Sequence, residues 1–228
     1  MQIYRNRRKD IKHTMEGQNK SLFQLFVPLC LETIFYMLSG MVDTLMLSSV
    51  GDQAVGAVGT ANTYIGVFII MYSVVSMGML AVMTQNIGAG RPGIACQAKT
   101  LGLWFNGILG VVMSVFLFFC SDGILYVVGI APALKEPAVQ YLRIVGGGSI
   151  LNAMIPILAG YLRAFGYTKQ PLIATVTGNI LNFILNAVFL FRFHLGVQGV
   201  ASATVISKVV NLISVSYTHL RAHETELH

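Results

Sequence analysis

Asp43 stands inside the run GMVDTLML (residues 40–47), an apolar stretch of the kind that crosses a bilayer, and Glu32 lies on the same run eleven residues earlier. An ionised side chain at the centre of a membrane costs roughly 3 kcal/mol or more unless it faces protein or water. At helical spacing the two acids fall on nearly one face, about 16 Å apart along the axis. Such a face suits the interior of a bundle. Burial disfavours the charged form of a carboxylate, so a group placed there can take up and release a proton, or hold a cation, as its exposure changes. An acid at the outer interface, reached by water and serving only as a cap, fits the position of Asp43 equally well.

A second polar series occurs in TGNILNFILNAVFLF, where Asn179, Asn182 and Asn186 follow at i, i+3 and i+7 among Leu, Ile and Phe. That spacing places the three amides on one side of a helix. Exposed to lipid they would be costly, so they should face protein, either as interhelical hydrogen-bonding groups or as groups that orient Asp43 and line a polar cavity. Lys208 has three readings: it snorkels, pairs with an acid, or faces a cavity. It adjoins a stripe of small residues, Gly199, Ala203 and Ser207, along which a neighbouring helix can approach closely. Pro156 lies within an apolar run, where the missing amide donor should kink the helix, as a hinge or as a fixed packing feature. Met37, Met41, Met46, Met71, Met77, Met79 and Met83 form a deformable set suited to varied apolar ligands, or simply to packing.

The elements that must carry these residues follow from composition. The chain of 228 residues is 55% hydrophobic and 11% charged, with a mean hydropathy of +0.70, more apolar surface than one soluble core of this length would bury. Runs long enough to cross a hydrocarbon layer recur at 22–48, 54–87, 95–120, 138–162, 171–191 and 197–216. They should be helices, because only helices and closed barrels satisfy every backbone group in lipid, and GVFIIMYSVVSMGMLAVM shows none of the alternation of a barrel strand. The expected fold is an all-α integral membrane bundle of six transmembrane helices over residues 22–216.

Residues 1–21 carry Arg5, Arg7, Arg8, Lys9, Lys12 and Lys20 against Asp10 and Glu16, which predicts a cytoplasmic N-terminal segment. Arg91, Lys99, Arg163 and Lys169 then fall at the same side, while Lys135, Arg143 and Arg192 fall outside. The net charge of +6 accordingly reads as topology and attraction to anionic lipid, with no nucleic-acid partner expected. The first apolar run is too long for a cleaved signal sequence. Residues 217–228 break the pattern; a tag, fusion scar or chain-end artefact outweighs a metal site at His219, His223 and His228, and the segment is expected to be non-native. Cys30, Cys96 and Cys120 lack metal-ligand spacing. No nucleophile elbow, phosphate-binding loop, zinc-protease or dinucleotide motif occurs, so neither an enzyme, a cofactor nor a metal is expected.

VDTLMLSSVGDQAVGAVGTAN (42–62), TQNIGAGR (84–91), GYLRAFGYTKQP (160–171) and GNILNFILNAVFLF followed by GVQGVASATVIS (178–207) resemble, in order and spacing, the multidrug and toxic compound extrusion (MATE) family. The resemblance implies a twelve-helix fold of two six-helix lobes, of which this chain supplies the N-terminal one. It further implies efflux of cationic or amphipathic compounds from the plasma membrane, by antiport with protons or sodium, together with an absent C-terminal lobe. By the same resemblance Asp43 matches the ion-coupling acid of the first helix, and Asn182 an amide beside it. Where members often have Asp in LNxxLD, this chain has Asn186, so Asp43 would work with neutral partners and with Glu32 as a more distant acid. A lipid-precursor or polysaccharide flippase, or a non-transporting scaffold or nonfunctional fragment, are the alternative readings.

Overall fold

The computed structural model describes the backbone of residues 22–226. The basic segment 1–21 and His228 lie outside the described residues, as do the side chains of His219 and His223. Among the described residues seven α-helices follow one another: α1 (Leu22–Ser48), α2 (Asp52–Gly88), α3 (Pro92–Val127), α4 (Pro132–Gly147), α5 (Ser149–Ala164), α6 (Lys169–Ala187) and α7 (Gly196–Glu226). Five of them are each long and apolar enough to cross a membrane, and α4 with α5, meeting at 41°, are together long and apolar enough for a sixth, broken span. The polar residues after position 216 continue α7 without a break as far as Glu226.

Short connections between successive spans make those spans antiparallel neighbours. Two of them use the same device: Gly90 (φ 71°) and Gly129 (φ 73°) take the left-handed conformation that ends a helix, and Pro92 and Pro132 then open the next one. Each helix buries a stripe rather than a whole surface. In α2 Ala54, Ala57, Val58, Ala61 and Ile65 recur at three and four residues, meeting Leu117, Leu142, Val145 and Val200 in the main core. A second cluster, Met83, Ile87, Ala95 and Tyr161, closes the opposite end. The outer faces remain apolar: Phe26, Tyr36, Met37 and Met41 on α1 and Trp104, Phe105 and Ile108 on α3 are exposed, as surfaces in lipid can be. The methionine set is accordingly divided, with Met37, Met41, Met71 and Met77 exposed and Met83 fully buried.

The tight centre of the bundle is the crossing of α3 with α5. A Cβ at Gly110 would lie 2.9 Å from both Ala153 Cβ and Ile150 Cα, so no larger residue fits there without displacement. One turn away Asn106 is fully buried, and its amide donates toward Tyr72 O, Ser76 Oγ and Ala153 O at 3.3, 3.1 and 3.0 Å. A single side chain thereby ties α2, α3 and α5 together. The small-residue stripe of α7 faces α6 and the π-helical turn Val188–Arg192 that follows it: a Cβ on Gly199 would lie 2.9 Å from Phe189 Cβ, and Ala203 and Ser207 are buried.

The break in the fourth span falls at Gly148, between α4 and α5, and not at Pro156, through which α5 remains helical. The sequence Gly146-Gly147-Gly148 explains the location: glycine gives up the most conformational freedom in a helix, and here the absent side chains admit Leu117 and Val205.

Candidate functional site

Asp43 lies about four-fifths of the way along α1, half-buried where that helix meets α6. The Asn186 amide donates to Asp43 Oδ1 at 2.6 Å and also reaches Asn182 Oδ1 at 3.3 Å. Asn186 is fully buried and Asn182 nearly so, and Asn186 Oδ1 has no hydrogen-bond donor. A short bond from a buried amide to a carboxylate holds the acid in one position, and bonds to charged groups are the stronger kind. The π-helical turn begins two residues beyond Asn186, an irregularity often found beside functional residues.

The three amides of α6 therefore do different things. Asn186 touches the acid directly, Asn182 reaches it through Asn186, and Asn179 donates instead to the backbone oxygen of Phe35 at 2.8 Å, a purely interhelical bond. Glu32 does not join Asp43. Its Oε1 accepts from Arg163 at 2.6 Å, the two side chains being 18% and 23% exposed, so the pair ties α1 to the end of α5 while Asp43 keeps neutral hydrogen-bonding partners. Arg163 drew attention in the sequence only as a loop-end cation; its partner is 131 residues away.

Lys208 on α7 is half-buried and donates to Asn152 Oδ1 on α5 at 2.8 Å. Its charge and that of Asp43 act on each other, yet no direct ion pair joins them. Tyr141 on α4, which is 3% exposed, adjoins Asn62 on α2 and Thr204 on α7 and also feels the charge of Asp43. Five spans thus contribute polar side chains to this part of the lobe: Asp43 from α1 beside Asn186 from α6, Asn152 from α5 beside Lys208 from α7, and Tyr141 from α4 beside Asn62 of α2 and Thr204 of α7. Asn62, Tyr141, Asn152 and Thr204 carry no signal in the sequence beyond being polar atoms in apolar runs. Their proximity depends on helix pairing, which periodicity alone does not specify. Among the described residues no three His, Cys, Asp or Glu side chains gather in a way that could hold a metal.

These features define a multi-pass helical membrane lobe with a carboxylate held in a polar interior. The chain belongs to the MatE family, whose model matches residues 28–188, and its fold is the N-terminal half of the MATE fold. It is 34% identical to the "Uncharacterized transporter YisQ" of Bacillus subtilis over 198 residues, which cover 85% of this chain and 44% of that protein. It is 29% identical to the "Probable multidrug resistance protein NorM" of Thermotoga maritima over 216 residues, covering 91% and 46% respectively. Among solved structures, one described as the outward-facing conformation of a multidrug resistance MATE family transporter of the MOP superfamily superposes with a TM-score of 0.80 at 25% identity, over 85% of this chain and 43% of that one. The chain spans about half the length of each of these relatives.

Proposed function

We propose that this lobe works, together with a C-terminal lobe, in a secondary transporter that expels cationic or amphipathic compounds across the plasma membrane in exchange for protons or sodium ions. The observation that carries the reading is the bond from Asn186 to Asp43, which fixes one half-buried carboxylate inside a lobe whose outer faces are apolar. The MATE relatives support transport as the activity. An acid held this way binds a proton or a monovalent cation in one state of the transporter and releases it in another, and the difference in ion affinity between states supplies the coupling energy. Substrate and lipid are the small-molecule partners of this reading, which involves no cofactor, no enzymatic step and no nucleic acid. On this reading the N-terminus faces the cytoplasm, the same side of the membrane as Arg91, Lys99, Arg163 and Lys169, which follows from the bias of cations toward that side.

The test is efflux of a lipophilic cationic dye from cells producing the full-length protein. Asp43→Asn should abolish efflux while the variant still reaches the membrane, and retained efflux would overturn the assignment.

A further inference from the structure

Arg143 is an exposed cation in α4 that no acid neutralises by contact. It stands two residues beyond the buried Tyr141 and turns away from the interior of the lobe. Its Nε donates to Ser121 Oγ on α3 at 3.1 Å, and Ser121 is fully buried. Among the described residues no carboxylate pairs with Arg143: Asp122 is joined to Lys135 at 3.1 Å, and Glu136 lies seven residues earlier on α4, about 10 Å away along the axis. A guanidinium carries five N–H donors, so the buried hydroxyl fixes one of them and leaves those of the two Nη groups.

The surroundings decide what those donors meet. The helix α3 packs on α2, α4 and α5, whereas Asp43 and Asn186 lie on α1 and α6. Beside Ser121, Phe118 and Phe119 are exposed, and a Cβ on Gly147, one turn beyond Arg143, would lie 3.4 Å from the Phe118 ring. An arginine on such an apolar outer face is costly in hydrocarbon and favoured where it reaches the lipid head groups. Depth separates the two cases. The helix α3 has 36 residues, and Ser121 lies six before its last, Val127. At about 1.5 Å per residue α3 is about 54 Å long, so when centred on a bilayer it puts Ser121 about 18 Å from the midplane, outside the hydrocarbon edge at about 15 Å and within a head-group layer that ends at about 20–22 Å. Further out, Tyr126 is exposed with Lys135 Nζ 5.5 Å from its ring centre, as aromatic residues at a membrane surface often are.

We propose that the α3–α4 end of the lobe binds a membrane phospholipid, its phosphate gripped by the Nη groups of Arg143 and its acyl chains lying on Phe118 and Phe119. The planar guanidinium matches two phosphate oxygens at once. Ser121 is the positioning residue, because its buried hydroxyl holds the guanidinium at head-group depth. Lys135 and Arg143 are balanced in number by Asp122 and Glu136, so the site reads the phosphate rather than the net charge of the lipid.

The experiment is native mass spectrometry of the purified full-length protein, titrated with dioleoylphosphatidylethanolamine or with a diglucosyl diacylglycerol of the same acyl chains, which has no phosphate. The first phospholipid should bind about tenfold more tightly than the glycolipid. Arg143→Met should bring the two together, and Arg143→Lys, which keeps the charge without the planar fork, should narrow the difference. Ser121→Ala, which keeps every charge, should weaken phospholipid binding by about threefold. Equal binding of the two lipids by the unmodified protein, or a preference that survives Arg143→Met, would overturn the inference. If Arg143→Met does not fold, unchanged binding in both Arg143→Lys and Ser121→Ala overturns it instead. Inorganic phosphate in large excess should leave the phospholipid bound; its displacement would show a site for the free anion and overturn the assignment to lipid.

Discussion

Asn186 and Asp43, 143 residues apart in the chain, meet through a 2.6 Å hydrogen bond that joins the sixth helix to the first. The bond is a point of contact between two helices and also the place where a charge inside the lobe is held. Replacing Asn186 with Leu removes the donor and leaves Asp43 Oδ1 facing apolar surface. Hydrogen bonds to charged groups contribute about 1.5–3 kcal/mol, so efflux by the full-length protein should fall by roughly tenfold or more, with membrane insertion unchanged. Dye-efflux rates matched for protein level check this.

The Glu32–Arg163 pair should be structural. Its side chains are 18% and 23% exposed, so most of the solvent screening that weakens surface pairs is absent. Removing one partner leaves the other charge half-buried. Glu32→Gln or Arg163→Met should each destabilise the protein by about 1–3 kcal/mol, and the double variant should be less destabilised than the two single effects added together. A double-mutant cycle on thermal stability in detergent measures the coupling.

Asn106 is the polar tie at the centre of the lobe. Asn106→Leu removes the bonds to oxygens on α2 and α5, of which Tyr72 O keeps the Ser76 hydroxyl as a donor, and should cost about 1–3 kcal/mol. A thermal unfolding series in detergent should place this variant among the least stable, far below an Asn substitution at an exposed position.

Gly110 and Gly107 offer a controlled comparison on one helix. A Cβ at Gly110 meets Ala153 and Ile150 at 2.9 Å, whereas one at Gly107 meets nothing within 4 Å. Gly110→Ala should therefore destabilise by about 1–3 kcal/mol through overpacking. Gly107→Ala should be neutral or stabilising by up to about 1 kcal/mol, because alanine is the better helix former. The same unfolding measurement separates them.

The spans themselves were legible because hydrophobic length is a local property: runs predicted at 54–87 and 171–191 became Asp52–Gly88 and Lys169–Ala187 with its π-helical extension. The spacing of Asn179, Asn182 and Asn186 likewise marked a face of α6 that turns toward protein. What each amide does was not legible, since Asn179 and Asn186 have the same chemistry and differ only in whether the backbone of Phe35 or the carboxylate of Asp43 lies opposite. The break at Gly148 was not legible, because a proline's missing donor is visible in sequence while the close approach that favours a break at Gly148 depends on Leu117 and Val205 from other helices. The division of the two acids, with Glu32 to Arg163 and Asp43 to Asn186, follows from tertiary pairing alone.

The central claim is that Asp43 couples ion entry to substrate exit, and coupled flux tests it most directly. In proteoliposomes holding the full-length protein, an imposed proton or sodium gradient should drive a lipophilic cation in the opposite direction, and addition of the cation should in turn drive the coupling ion. The account predicts that Asp43→Asn loses both fluxes together in a protein that still folds and inserts. An Asp43→Asn protein that keeps gradient-driven counterflow at a rate close to that of the unmodified one would contradict it.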